Sequence, residues 1–145
     1  MIARLSDIPV KVMGGATGTV SGGLIAILWE ITEMLKRLAQ YDEPAAIDLR
    51  SLPFSSHDYQ RLRESFGDGE LEITLNIDYL SRVRETGYAG VWWVEHLNPE
   101  DELVAELLEI TNIPEIVVTE RDEVERSARR LRSRLSLHTA GGSIR

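Results

Sequence analysis

Spacings of three and four residues between aliphatic side chains dominate the first part of the chain. Over residues 24–40 they predict an amphipathic helix with one apolar face. Ser21 is placed to cap its start, and Pro44 prevents its continuation. A shorter helix with one apolar stripe is predicted over residues 55–66.

The apolar period changes to two after this helix. Residues 70–77 alternate between apolar and polar side chains, which predicts a half-buried strand. Further strands are predicted over residues 80–86, 91–97 and 103–111, separated by turns rich in glycine, asparagine and proline. The last of these segments also fits a helix, but its hairpin-length spacing from the preceding strand favours a strand. Residues 45–52 are predicted to form a short, partly extended connector.

A final helix is predicted over residues 120–135, with Thr119 as its cap. Acidic residues occupy its first turn and arginines its second half, an order that complements the helix dipole. Its apolar side chains are predicted to face inward: Val124, Ala128, Leu131 and Leu135.

These elements together predict an α+β fold. We expect an antiparallel sheet of four to five strands, with two to three helices packed on one face. Residues 1–23 are predicted to be a flexible, glycine-rich segment and residues 136–145 a disordered tail. A single domain is expected to occupy residues 24–135.

The composition narrows the classes of function. The chain has 145 residues, of which 43% are hydrophobic and 28% charged, as in ordinary globular domains. It contains no cysteine, which excludes disulfides, thiolate metal sites and a cysteine nucleophile. The lack of cysteine also fits a reducing compartment, and we expect a cytoplasmic protein.

The net charge of -8 bears on the partners. Nucleic-acid binding depends on neutralising phosphates with lysine and arginine, so no nucleic-acid partner is expected. A cationic protein segment would be attracted instead. No apolar run approaches the length of a membrane span, and the first twelve residues do not resemble a secretory signal, so no membrane partner is expected.

The sequence contains no recognisable catalytic or metal-binding motif. The glycine-rich segment 14–23 lacks the Gly-Lys-Ser/Thr sequence of a phosphate-binding loop. The three histidines have no metal-like spacing and are interpreted as surface or capping residues: His57, His96 and His138. We therefore assign no catalytic residue, no metal ligand and no cofactor.

The close carboxylate pairs have a simple interpretation. Glu70 and Glu72 are predicted to lie on a solvated strand face. Glu106 and Glu109 are predicted to lie at a strand edge. An acidic chain contains such pairs without any catalytic purpose.

Two adjacent tryptophans are the most informative feature of the predicted sheet. Trp92 and Trp93 must point to opposite faces, because side chains alternate along a strand. Trp93 shares its face with Val91 and is expected in the core. Trp92 shares its face with Val94. Either it is exposed as a binding anchor, or the glycine-rich segment or the tail covers it.

Several short motifs in this region resemble a known family. They are Ile47-Asp-Leu-Arg-Ser-Leu-Pro53, Gly67-Asp-Gly-Glu70, Arg84-Glu-Thr86, Gly90-Val-Trp-Trp-Val94 and Leu108-Glu-Ile-Thr-Asn-Ile-Pro-Glu115. Their order and spacing resemble the HupH/HyaF-type hydrogenase expression proteins from about Leu24 to Leu135. The chain reads Gly-Asp-Gly where the family often reads Gly-Glu-Gly, and it is shorter than many members.

The resemblance implies a non-catalytic accessory protein of nickel–iron hydrogenase maturation. Its expected partners are the precursor of the iron–sulfur small subunit, before twin-arginine export, and other maturation proteins. The oligomeric state stays open, a homo-oligomer included. Residues expected to bind the precursor lie on the sheet: Trp92, Val94, His96, Arg82, Arg84, Glu70 and Glu72.

Two alternative functions stay open. One is a metal-handling maturation factor that uses carboxylates and His96, which requires at least three converging ligands. The other is a small-molecule enzyme, which requires a polar pocket that holds titratable groups.

Overall fold

A computed structural model of the chain describes residues 20–141. The chain divides into two units, with the boundary between Asn112 and Ile113. Most of the segment predicted to be flexible, residues 1–19, and the end of the predicted tail, residues 142–145, lie outside the described residues.

The first unit is a five-stranded antiparallel sheet with two helices. Its elements follow in this order: α1 (Gly22–Tyr41), β1 (Ala45–Asp48), α2 (Ser56–Phe66), β2 (Glu72–Asn76), β3 (Leu80–Glu85), β4 (Val91–Leu97) and β5 (Leu103–Ile110). The strands lie in the order β1-β5-β4-β3-β2, so β1 and β2 are the edges. The predicted α+β fold is confirmed, and the connector supplies the fifth strand.

The ends of α1 follow from local hydrogen bonds. The Ser21 hydroxyl accepts a hydrogen bond from the Leu24 N–H at 3.2 Å, as predicted for a cap. At the other end, Asp42 adopts a left-handed conformation and donates its N–H to the Leu38 carbonyl at 3.0 Å. Aspartate tolerates this conformation better than most residues.

The core lies between the two helices and one face of the sheet. It contains Leu24, Ile27, Ile31 and Leu38 of α1; Leu62 and Phe66 of α2; and Ile47, Leu49, Val91, Trp93, Leu108 and Ile110. Burying each large aliphatic side chain contributes about 1.5–3 kcal/mol. The predicted burial of Trp93 beside Val91 is confirmed.

The turn between β3 and β4 allows α1 to approach the sheet closely. Gly90 has a φ of 87°, which side chains rarely permit. A Cβ atom at this position would stand 3.3 Å from a methyl carbon of Leu35 and 3.4 Å from one of Leu38. Glycine is therefore required both by the backbone conformation and by the packing of α1.

The second unit contains the helix α3 (Arg121–Thr139). Its N-cap is Glu120 rather than Thr119, and no side chain makes a capping hydrogen bond there. The helix also runs beyond the predicted end at Leu135, so the first residues of the predicted tail, 136–139, are helical.

The predicted inward face of α3 is exposed. Val124, Leu131 and Leu135 are 56%, 60% and 51% exposed, and none of the helix residues is buried. The prediction was wrong because spacing identifies an apolar face but does not show what covers it. Within residues 20–141, no helix combines the length and apolarity needed to cross a membrane.

Candidate functional site

The face of the sheet that carries the core has a polar part as well as an apolar one. Directly paired residues of neighbouring strands share a face, and side chains alternate along each strand. The register therefore places a continuous group of polar residues beside Trp93. We call this group the polar strip: Glu72, Thr74, Arg82, Arg84, Glu95 and Glu106.

Glu106 is the buried end of the polar strip, with only 2% of its surface exposed. Its carboxylate Oε1 accepts one hydrogen bond from the Tyr59 hydroxyl and one from Trp93 Nε1, the latter at 2.7 Å. Burying a charge is costly unless such bonds replace its hydration. The prediction of a strand edge was wrong for Glu106 and Glu109, because β5 lies inside the sheet.

Tyr59 connects α2 to this buried carboxylate. Burial raises the pKa of the Tyr59 hydroxyl above its ordinary value, and the hydrogen bond to Glu106 raises it further. The Tyr59 ring also packs edge-on against Trp93, with 5.8 Å between centroids. The guanidinium of Arg63 lies 4.6 Å from the centroid of the same tryptophan. The Trp93 side chain is thus held by three contacts, with Glu106, Tyr59 and Arg63.

An ion pair occupies the middle of the polar strip. Arg84 Nη2 donates to Glu95 Oε2 at 3.0 Å, and the two side chains are 27% and 16% exposed. Arg84 Nε is buried and has no hydrogen-bond partner among the described residues. A partly desolvated, charge-assisted bond of this kind is stronger than a surface pair and orients both side chains.

The polar strip becomes more exposed toward the sheet edge at β2. Arg82 is half-buried, whereas Glu72 and Thr74 are exposed. The prediction of a solvated face is confirmed for Glu72 and for Glu70, whose N–H donates to a carboxylate oxygen of Glu85 at 3.4 Å. The outer end of the strip therefore lies in solvent.

The opposite face of the sheet carries Trp92, Val94 and His96. Trp92 is 6% exposed and Val94 is fully buried, so the alternative in which Trp92 is an exposed anchor is wrong. Trp92 Nε1 donates to the Thr111 carbonyl at 3.0 Å. A buried indole N–H needs such an acceptor, and its burial leaves Trp92 unavailable to a partner. The sequence alone could not show whether Trp92 is buried, because the residues of β4 do not indicate which other part of the chain packs over that face.

The structure thus separates the predicted binding residues. Glu72, Arg82 and Arg84 belong to the polar strip, whereas Trp92, Val94 and His96 lie on the other face. His96 is half-buried there, and its Nδ1 lies 2.7 Å from the Ser81 hydroxyl.

Tyr59, Arg63 and Glu106 were missed by sequence reasoning. Glu106 had a signal, because strand alternation places it on the same face as Leu108 and Ile110. Tyr59 and Arg63 had none, since nothing in a helix stripe identifies the strand residue that it meets.

The chemistry open to this site is limited by access. Glu106 is enclosed by Tyr59 and Trp93, so a substrate would have to displace one of them. Within residues 20–141, no three histidines, aspartates or glutamates converge in a way that could hold a metal ion. The arrangement holds a tyrosine and a tryptophan in place and presents charged groups at the sheet edge.

The fold and the polar strip together define the class of domain to which the chain belongs. The chain contains an α+β domain whose antiparallel sheet has two helices on one face and a partly exposed polar strip. Residues 23–138 match the family described as HupH hydrogenase expression protein, C-terminal conserved region. The chain belongs to this family, and the resemblance in the sequence motifs is confirmed.

Individual relatives agree with this assignment. The chain is 32% identical over 120 residues to the hydrogenase expression/formation protein HoxQ of Azotobacter vinelandii, covering 79% of this chain and 42% of that protein. It is 27% identical over 127 residues to HupH of Rhizobium leguminosarum bv. viciae, covering 88% and 45%. The chain spans less than half the length of these relatives.

A solved structure supports the fold. The hydrogenase expression protein HupH from Thiobacillus denitrificans ATCC 25259 superposes with a TM-score of 0.75 at 34% sequence identity. The match covers 80% of this chain and 97% of that one.

Proposed function

We propose that this chain is a non-catalytic accessory protein of nickel–iron hydrogenase maturation that binds the precursor of a hydrogenase subunit. Membership of the HupH family carries the proposal, since its relatives are named hydrogenase expression or formation proteins. The proposed client is the iron–sulfur small subunit before its export, and binding takes place in the cytoplasm. The enclosed Glu106 supports a role without catalysis, because it is not accessible to a substrate.

The proposed contact surface is the sheet edge at β2. An edge strand offers backbone groups to which an extended segment can add as a further strand. Exposed apolar side chains lie at both ends of β2, namely Leu71, Ile77 and Tyr79. They provide the apolar contacts that strand addition usually needs.

Charge supports a basic client segment at this edge. Glu70 and Glu72 are exposed beside β2, and the whole chain has a net charge of -8. A twin-arginine leader is basic, so its association would be steered toward an acidic edge. Arg84 then serves to hold Glu95 in place through their ion pair, and Arg82 lies half-buried beside them. Compared with the predicted surface, the proposed one keeps the charged residues and leaves out Trp92, Val94 and His96, which lie on the other face.

The test is co-purification of the tagged full chain with the small-subunit precursor. Glu72→Lys is expected to reduce the retained precursor several-fold, because it reverses the charge at the proposed edge. Glu30→Lys makes the same change at an exposed position of α1 and is expected to retain the wild-type amount.

Two results would contradict the proposal. If the wild-type chain retains no precursor, the proposed client is wrong. If Glu72→Lys and Glu30→Lys retain equal amounts, the β2 edge is not the contact surface.

A further inference from the structure

Helix α3 carries an apolar stripe that lies in solvent. Val124, Leu131 and Leu135 are each more than half exposed, and Ala128 is exposed between them. The four positions are separated by four, three and four residues, which is the spacing of a coiled-coil seam. We call these four residues the α3 seam.

The exposed seam indicates that the apolar face of α3 lacks a packing partner in the isolated chain. Helices in proteins derive most of their stability from packing an amphipathic face against a partner rather than from intrinsic propensity. The helix has 19 residues, none of which is buried. Its own favourable features are the acidic first turn and weak ion pairs such as Arg121 with Glu125 at 3.8 Å.

The order of charges along α3 points to the occupant of the seam. Acidic residues lie in the N-terminal third of the helix: Asp122, Glu123 and Glu125. The positions that follow carry arginines and no acidic residue: Arg126, Arg129, Arg130, Arg132 and Arg134. A uniformly basic helix would suit an acidic partner, whereas a helix with one acidic and one basic end is complementary to its own reversed copy.

We propose that α3 forms an antiparallel two-helix coiled coil with α3 of a second copy of this chain. In this arrangement Val124 packs against Leu135 of the second copy, and Ala128 against Leu131. Each layer then joins an a position with a d position, as antiparallel seams do, and the small alanine lets the helices approach. The contact is isologous, as in most homodimers.

Flanking charges favour this orientation over the parallel one. The antiparallel register places Glu125 beside Arg132 of the second copy, and two-fold symmetry repeats the pair. In a parallel pair, Glu120 would face Glu125 of the other helix, and the arginine-rich halves would lie side by side. Such flanking pairs decide the orientation of coiled coils.

The dimer is tested by sedimentation of the purified full chain at increasing concentrations, without any hydrogenase subunit. The wild type is expected to shift from monomer to dimer. Leu131→Asp is expected to raise the dimer dissociation constant at least about tenfold, since it buries a carboxylate in the seam. Leu137→Asp, at a position 74% exposed and outside the seam, is the matched control and is expected to dimerise as the wild type does.

Charge reversal tests the register. Glu125→Arg alone and Arg132→Glu alone are each expected to weaken the dimer. The double variant is expected to restore it, because these two positions face each other across the antiparallel pair and not across a parallel one. Circular dichroism of each variant checks that the helix is retained.

Engineered cysteines test the orientation independently of affinity, because the natural chain has no cysteine. A mixture of Val124→Cys and Leu135→Cys chains is expected to form a mixed disulfide, while neither variant forms one efficiently alone. Efficient linkage of Val124→Cys to itself would overturn the antiparallel arrangement. A wild type that stays monomeric at about 1 mM, the limit of weak association, would overturn the dimer and leave the proposed function intact.

Discussion

Helices α1 and α3 have nearly the same length and the same kind of apolar spacing, yet they differ completely in burial. α1 has 20 residues and buries Leu24, Ile27, Ile31 and Leu38. α3 has 19 residues and buries none. Periodicity therefore identifies which side of a helix seeks a partner, and the rest of the fold decides whether the same chain supplies it.

The surroundings of the two helices explain the difference. The stripe of α1 meets a sheet face that carries complementary apolar residues such as Val91 and Ile110, and Gly90 permits close approach. The stripe of α3 contains only aliphatic side chains at widely spaced positions among six arginines. Such a helix has a narrow seam, suited to another helix rather than to a sheet.

Truncating one side chain in each stripe tests this comparison most directly. Ile31→Ala in α1 is expected to lower the free energy of unfolding by about 2–5 kcal/mol, because it leaves a cavity in the core. Leu131→Ala in α3 is expected to lower it by less than about 0.5 kcal/mol in dilute, monomeric protein, where the side chain is already solvated.

Urea unfolding followed by tryptophan fluorescence measures the first unit, which contains all three tryptophans, and far-UV circular dichroism measured in the same titration also follows α3. Comparable losses for Ile31→Ala and Leu131→Ala would show that α3 is packed in solution.

The sequence predicted most elements of the first unit because they have local signals, whereas β1 was predicted only as a partly extended connector. The strand from Val91 to Leu97 agrees with the predicted bounds, as does the cap at Ser21. These features depend on neighbours along the chain, such as the alternation around Trp93 or a hydroxyl three residues before an N–H.

The candidate site was less predictable because its contacts join distant residues. Tyr59 and Glu106 are 47 positions apart, and no local pattern pairs them. The burial of Trp92 also depends on what lies over its face, which β4 alone does not specify. Only the sheet face on which Glu106 lies could be predicted, because side chains alternate along a strand and Glu106 shares its face with Leu108 and Ile110.

The first unit and α3 also differ in the exposure of their acidic side chains, since Glu106 is buried and the carboxylates of α3 are exposed. Glu106→Leu is expected to lower the free energy of unfolding by about 2–4 kcal/mol, since each buried donor left without an acceptor costs about 1–3 kcal/mol. Glu106→Gln keeps one acceptor oxygen and is expected to lose less.

Glu123→Leu makes the same replacement on the exposed surface of α3 and serves as the control. We expect it to change the free energy of unfolding by no more than about 0.5 kcal/mol. If Glu106→Leu were as mild as Glu123→Leu, the hydrogen bonds to Tyr59 and Trp93 would not be stabilising.

The smallest expected effect concerns the pH dependence contributed by Tyr59. Its pKa is raised by burial and by the bond to Glu106, so above about pH 10 the unfolded chain releases the hydroxyl proton while the folded chain retains it. This part of the stability is complete below that pH and is lost as the pH rises further. Tyr59→Phe is therefore expected to lower stability by about 1 kcal/mol at neutral pH but to weaken its alkaline decline.

Urea titrations between pH 7 and pH 11 compare the slopes of Tyr59→Phe and wild type. Tyr41→Phe removes a hydroxyl from a side chain that is 72% exposed, and it is expected to follow the wild-type curve. An unchanged alkaline slope in Tyr59→Phe would mean that Tyr59 is solvated in the folded chain. In that case α2 would not be anchored to the sheet through Glu106, and the first unit would resemble α3 in leaving a helix contact open to water.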